Sequence, residues 1–148
     1  MHSDAHQRLE VVLDRELGVA TLLQETLDAE RTALTGTSSD AVEARAAEKI
    51  ALFADIERLE TERRGLCAAA GVDLRRDGET PADLSARWQA LLQLMARCRT
   101  ANEINGYIIN VRRSQVGQLI DALRGGAPAT YGPNGKTFAK ALRALAQA

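Results

Sequence analysis

Two histidines, His2 and His6, stand four residues apart. On a helix this spacing stacks both imidazoles on one face, the usual beginning of a metal site. The spacing implies no third ligand, and terminal turns tend to fray, so no metal ion is expected. With both histidines in the first six residues, no Ser/His/Asp or Cys/His set can be assembled. No Gly-rich loop follows a strand pattern, which removes the phosphate-cradling motifs. The carboxylates stand three or four residues from arginines, as on solvated helix faces. The sequence therefore predicts no catalytic residue and no cofactor.

The polar pair Asn102 and Asn105 is a different kind of signal, because both fall in an otherwise apolar helical seam. Two readings stand. Buried asparagines fix the register of packed helices. Alternatively, the pair marks a partly exposed stretch where a long helix leaves its neighbours. Gly106 follows directly and weakens a helix by roughly 1 kcal/mol, which implies close packing or a flexible point. The arginines of the same helix lack aromatic stacking partners beside them, so nucleic acid is not an expected ligand.

The elements that position these residues can be read from composition. In a chain of 148 residues, the size of one domain, 45% are apolar but only 3% aromatic. Alanine and leucine dominate, with few β-branched residues, which favours long helices packed through Leu and Ala. The net charge of −1 gives no general pull toward nucleic acid or membrane. Its distribution is uneven. Residues 1–35 carry seven acids and three bases, whereas residues 122–148 carry no acid beside Arg124, Lys136, Lys140 and Arg143. An acidic N-terminal half and a basic C-terminal half can attract each other within one fold. No stretch reaches the roughly 20 apolar residues of a membrane span. The first residues, Met1-His2-Ser3-Asp4, lack the pattern of a signal peptide, and Cys67 and Cys98 both lie in helical segments. Reduced thiols and a cytoplasmic location are expected.

Leu9, Leu13, Glu16, Ala20, Leu23, Leu27, Glu30 and Leu34 recur at alternating spacings of four and three, a heptad seam that predicts a helix over 5–35. Gly36 suits the helix end, and Ser38, Ser39 or Asp40 can cap a second helix over 39–70. Its seam is Leu52, Ile56, Leu59, Arg63 and Leu66. So short a connection forces the two helices antiparallel, which brings Glu16 near Arg58 and Arg63. A polar loop, 71–81, follows, and Thr80 with Pro81 and Asp83 reads as a helix start. The third helix, 81–124, carries Leu84, Trp88, Leu91, Met95, Cys98, Asn102, Asn105, Ile109, Arg112, Val116, Leu119 and Leu123 on its seam. At 1.5 Å per residue it is roughly 60 Å long against about 45 Å for the others, so an overhang is expected.

The expected architecture is all-α: an elongated antiparallel three-helix coiled-coil bundle over 1–124, made of a helical hairpin and a long third helix. A flexible partner-binding tail follows over 125–148. In it Phe138, Leu142 and Leu145 fall at i, i+4 and i+7, which predicts a short amphipathic helix over 137–147. Ten residues do not hold a helix alone in water. This segment either closes one end of the bundle or orders on meeting a partner, as a helix laid in a groove.

Asn102-x-x-Asn105-Gly106 on the long helix and Thr130-Tyr131-Gly132-Pro133-Asn134-Gly135-Lys136 in the tail, in this order behind an acidic helical hairpin, resemble the flagellar export chaperones of the FlgN family. The resemblance implies a cytoplasmic type III export chaperone for the hook–filament junction proteins FlgK and FlgL. It also implies docking to the flagellar export gate or its ATPase complex through Tyr131, Gly132 and Pro133. Phe138, Leu142 and Leu145, chosen on periodicity, are the expected client anchors. The alternative is a generic coiled-coil adaptor or self-associating scaffold, since an exposed seam serves a client or a second copy of the chain equally well.

Overall fold

The computed structural model describes residues 2–125, apart from the side chain of His2. The described chain is three helices with no strand: α1 (His2–Thr35), α2 (Ser39–Ala70) and α3 (Ala82–Leu123). All eight seam residues of α1 are buried, from Leu9 to Leu34. Leu9, Leu13, Ala20, Leu23 and Leu27 form the core with Leu84, Leu91, Leu94 and Cys98 of α3. Leu52, Ile56, Leu66 and Cys67 of α2 pack against it from the other side, only half-buried.

Cross-helix pairs give the directions. Glu16 meets Arg63 and Glu30 meets Lys49, so α2 runs against α1. His6 meets Asp83, Ala20 meets Cys98 and Leu27 meets Asn105, so α3 runs with α1. The backbone of α1 lies against both neighbours, while those of α2 and α3 stay apart. Long side chains, not backbones, bridge that open side.

The helix ends follow local chemistry. Ser38 is the cap of α2, its Oγ accepting from the Ala41 N–H at 3.2 Å. Gly71 ends α2 in the left-handed region, at φ 68°. The Gly71 N–H donates to Ala68 O and the Val72 N–H to Cys67 O, a Schellman closure that turns Val72 inward. The loop that follows is less polar in effect than its composition implies, because Leu74 is buried in the core. The expected Thr80 cap is not formed. The Thr80 hydroxyl turns back to donate to Asp73 O and Arg76 O, and α3 starts behind Pro81 with no side-chain cap. Proline fixes its own φ and has no N–H to satisfy, so this start needs less help than most.

Within the described residues no helix is long and apolar enough to cross a membrane. Truncating a fully buried seam residue, as in Leu23→Ala, is expected to lower unfolding free energy by about 2–5 kcal/mol. The same change at the exposed Leu119 should shift it by no more than about 0.5 kcal/mol. Urea unfolding of the two variants checks this, and equal losses would contradict the packing described.

Candidate partner-binding site

Two buried carboxylates on the α1 seam organise the bundle. Glu16 is 3% exposed and Glu30 fully buried. Charges removed from water need partners. Glu16 takes Arg63 of α2, whose Nε donates to both carboxylate oxygens at 3.2 and 2.9 Å. The guanidinium also lies over the Trp88 ring of α3, 4.6 Å from its centroid. One arginine thus touches all three helices. Burial raises the Glu16 carboxyl above its ordinary range, and the Arg63 charge works against that rise. Arg58, the other partner expected for Glu16, stays on the exposed face near Asp55.

Glu30 repeats the arrangement two heptads on. Lys49 Nζ lies 2.9 Å from Glu30 Oε2 and donates to Oε1 and to Asn102 Oδ1, each at 3.2 Å. Asn105 is fully buried. Its amide donates to Leu27 O at 2.9 Å and to Glu30 Oε1 at 2.8 Å, and its carbonyl accepts from Arg31 Nε at 3.1 Å. The layer therefore ties α1, α2 and α3 through charge-assisted bonds that a slip of one turn would break. The cations that reach these buried acids come from α2, the second acidic helix, and not from the basic C-terminal half.

Beyond this layer the surroundings of α3 change. Arg112 donates to Gly36 O at 3.2 Å, at the turn between α1 and α2. Past that contact α3 continues for eleven residues, about 17 Å at the usual rise. Val116, Leu119, Ile120 and Leu123 are 55, 60, 42 and 78% exposed there. They fall at i, i+3, i+4 and i+7, a continuous apolar stripe on one face. It is the same seam that packs on α1 further up, carried past the last residue of α1. Apolar surface of this kind, concentrated on one helical face, is the ordinary mark of a partner site.

The remaining expected site residues divide sharply. Tyr131, Gly132, Pro133, Phe138, Leu142 and Leu145, with the helix expected over 137–147, lie outside the described residues. Asn102 and Asn105 stand in the layer above. His6 is joined by Glu10 and Asp83, a grouping invisible to local spacing because Asp83 is 77 residues away. Lys49 and Trp88 were also missed as bridging residues. Charge opposite a seam acid was a usable signal for Lys49, since 49 and 30 stand in the same antiparallel relation as 63 and 16.

Comparison with known proteins bears on most of the chain. The family model described as FlgN protein matches residues 1–138. The chain belongs to the FlgN family. Among curated FlgN relatives, the flagella synthesis protein FlgN of Salmonella typhimurium (strain LT2) is 27% identical over 135 residues, covering 88% of this chain and 90% of that protein. The flagella synthesis protein FlgN of Salmonella typhi matches to the same extent. No solved structure matches.

In this FlgN-family chain the polar layer invites a direct test. Lys49→Met removes the cation from a buried carboxylate and is expected to destabilise the fold by about 3–5 kcal/mol. Adding Glu30→Gln to that variant should restore part of the loss, a coupling that a double-mutant cycle in urea measures. Cysteine reactivity offers a second check. Desolvation raises the thiols of Cys98 and Cys67, and Cys98 is 2% exposed with Sγ donating to Ala20 O at 3.5 Å. A raised thiol holds less thiolate at neutral pH, so Cys98 should alkylate only as fast as the bundle opens. Mass spectrometry after timed alkylation would show early Cys98 labelling if this is wrong.

Proposed function

We propose that this chain is a cytoplasmic flagellar type III export chaperone that holds the hook–filament junction proteins FlgK and FlgL unassembled and delivers them to the export gate. Membership of the FlgN family supports the flagellar role and the chaperone class. The observation that carries the binding mode is the uncovered stripe of Val116, Leu119, Ile120 and Leu123 beyond the end of α1. Subunits that polymerise through terminal helices expose apolar helical faces before assembly, and a matching stripe masks them reversibly. In this reading the client helix lies along distal α3, and Phe138, Leu142 and Leu145 are further apolar anchors for it. Docking that orders a segment carries a free-energy cost, which keeps affinity moderate and release feasible. Tyr131, Gly132 and Pro133 stand between the two apolar stretches and serve docking to the export gate or its ATPase complex.

Calorimetric titration with the C-terminal helical region of a junction protein is the test. Binding of roughly micromolar strength is expected. The variants Leu119→Glu/Leu123→Glu and a truncation after Gly126 should each weaken it by at least about tenfold, equivalent to about 1.4 kcal/mol. Retained binding in the charged double variant would remove distal α3 from the site. No binding to either junction protein, together with dimerisation through the same stripe in sedimentation, would support the scaffold alternative. Separately, Tyr131→Ala is expected to leave client titration unchanged while reducing secretion of junction proteins by flagellated cells. A loss of client binding in that variant would merge the two roles.

A further inference from the structure

At the opposite end of the bundle from the apolar stripe, three potential ligand atoms from two helices meet. His6 Nε2 of α1 lies 2.8 Å from Asp83 Oδ2, in the first turn of α3, and 3.8 Å from Glu10 Oε1, one turn further along α1. All three ligand atoms fall within 4.8 Å of one another. Each side chain is partly exposed, so an ion has access from solvent. We propose that His6, Glu10 and Asp83 form a site for a divalent first-row transition ion, with zinc the fitting example, that clips the start of α3 to α1.

The geometry fits this class of ligand. Zinc bound to nitrogen and oxygen at about 2.0–2.2 Å holds neighbouring ligand atoms about 3.3 Å apart in a tetrahedral site. The separations of 2.8 and 3.8 Å bracket that value, so small side-chain rotations bring the atoms into place. One imidazole with two carboxylates is a donor set for zinc, cobalt or nickel, whereas calcium and magnesium prefer all-oxygen sites. Solvent completes the coordination.

Electrostatics point the same way. Two carboxylates, Glu10 and Asp83, converge here and call for positive charge. Arg87 supplies some, with Nη1 3.5 Å from Glu10 Oε1, but its closer bond is from Nε to Asp14 at 2.8 Å. An ion between Glu10 and Asp83 would leave that shorter pair in place. The sequence also puts His2 four residues before His6, a further imidazole at helical spacing. The site itself is defined by the three described side chains.

The full chain, free of any affinity tag and treated with chelator, should be titrated with zinc and with cobalt. One equivalent is expected to bind at micromolar strength or tighter and to raise the melting temperature, with magnesium giving no shift. Loss of an outer-shell partner alone costs about 10–100-fold, so His6→Ala and Asp83→Asn should each weaken binding at least tenfold. Circular dichroism must show both variants folded; should either unfold, Glu10→Gln takes its place. Cobalt spectra are expected to lack thiolate charge-transfer bands. Thiolate bands, binding lost in Cys67→Ser, or variants that bind as tightly as the parent chain would each overturn the proposal.

Discussion

Everything in this bundle rests on one stripe of α1. The helix offers Leu, Ala and two glutamates at alternating spacings of four and three, and both other helices are packed on it. Leucine and alanine supply apolar burial that is largely indifferent to register, since a leucine seam fits another leucine seam at several offsets. Glu16 and Glu30 are not indifferent. Each must meet a cation inside the bundle, and only one alignment of α2 delivers Arg63 and Lys49 together. The third helix is then held by what those cations have left over: the Trp88 ring above Arg63, and the Asn102 carbonyl beside Lys49. Stability comes from the apolar stripe and alignment from the charges, a division of labour that suits a long, narrow fold with little else to fix it.

The seam of α1 was fully legible in the sequence because the seven-residue repeat is a local property. The helix-to-helix direction was legible too, since a three-residue link leaves no alternative to a reversal. What spacing could not reveal is how far each seam stays covered. Leu84 and Leu119 occupy equivalent positions in the α3 repeat, yet one is fully buried and the other 60% exposed. The difference is the length of α1, a property of another part of the chain. Asp83 taught the same lesson in polar form. It reads as an ordinary first-turn acid, favourable at a helix N-terminus, and only the parallel run of α1 and α3 brings it to His6 and Glu10. The Thr80 cap failed for a local reason: a hydroxyl has several carbonyls in reach in a tight loop, and those of Asp73 and Arg76 compete with the helix start.

The two ends of the molecule have opposite character. At the end where α1 and α3 begin, charged side chains meet across the helices and the loop after α2 folds Val72 and Leu74 inward. At the other end, among the described residues, α3 alone continues, with its apolar face exposed. A bundle designed only to be stable would have trimmed that projection or covered it, because apolar surface on a lone helix invites association. In a member of the FlgN family this exposed face is what the proposed client-binding role rests on.

The projection has a further property that follows from its attachment. Eleven residues of free peptide would scarcely be helical in water, because the first turn fixes several residues for a single hydrogen bond. Here that first turn is never formed anew: the segment grows from a helix already set by the packing above Arg112. It is a pre-nucleated template, and Gly117 within it, with open space where a side chain would stand, lowers its helix propensity without breaking it. On the proposed reading, a client that arrives as an unstructured chain acquires its own helix against a surface that is already one, and loses it again when it departs.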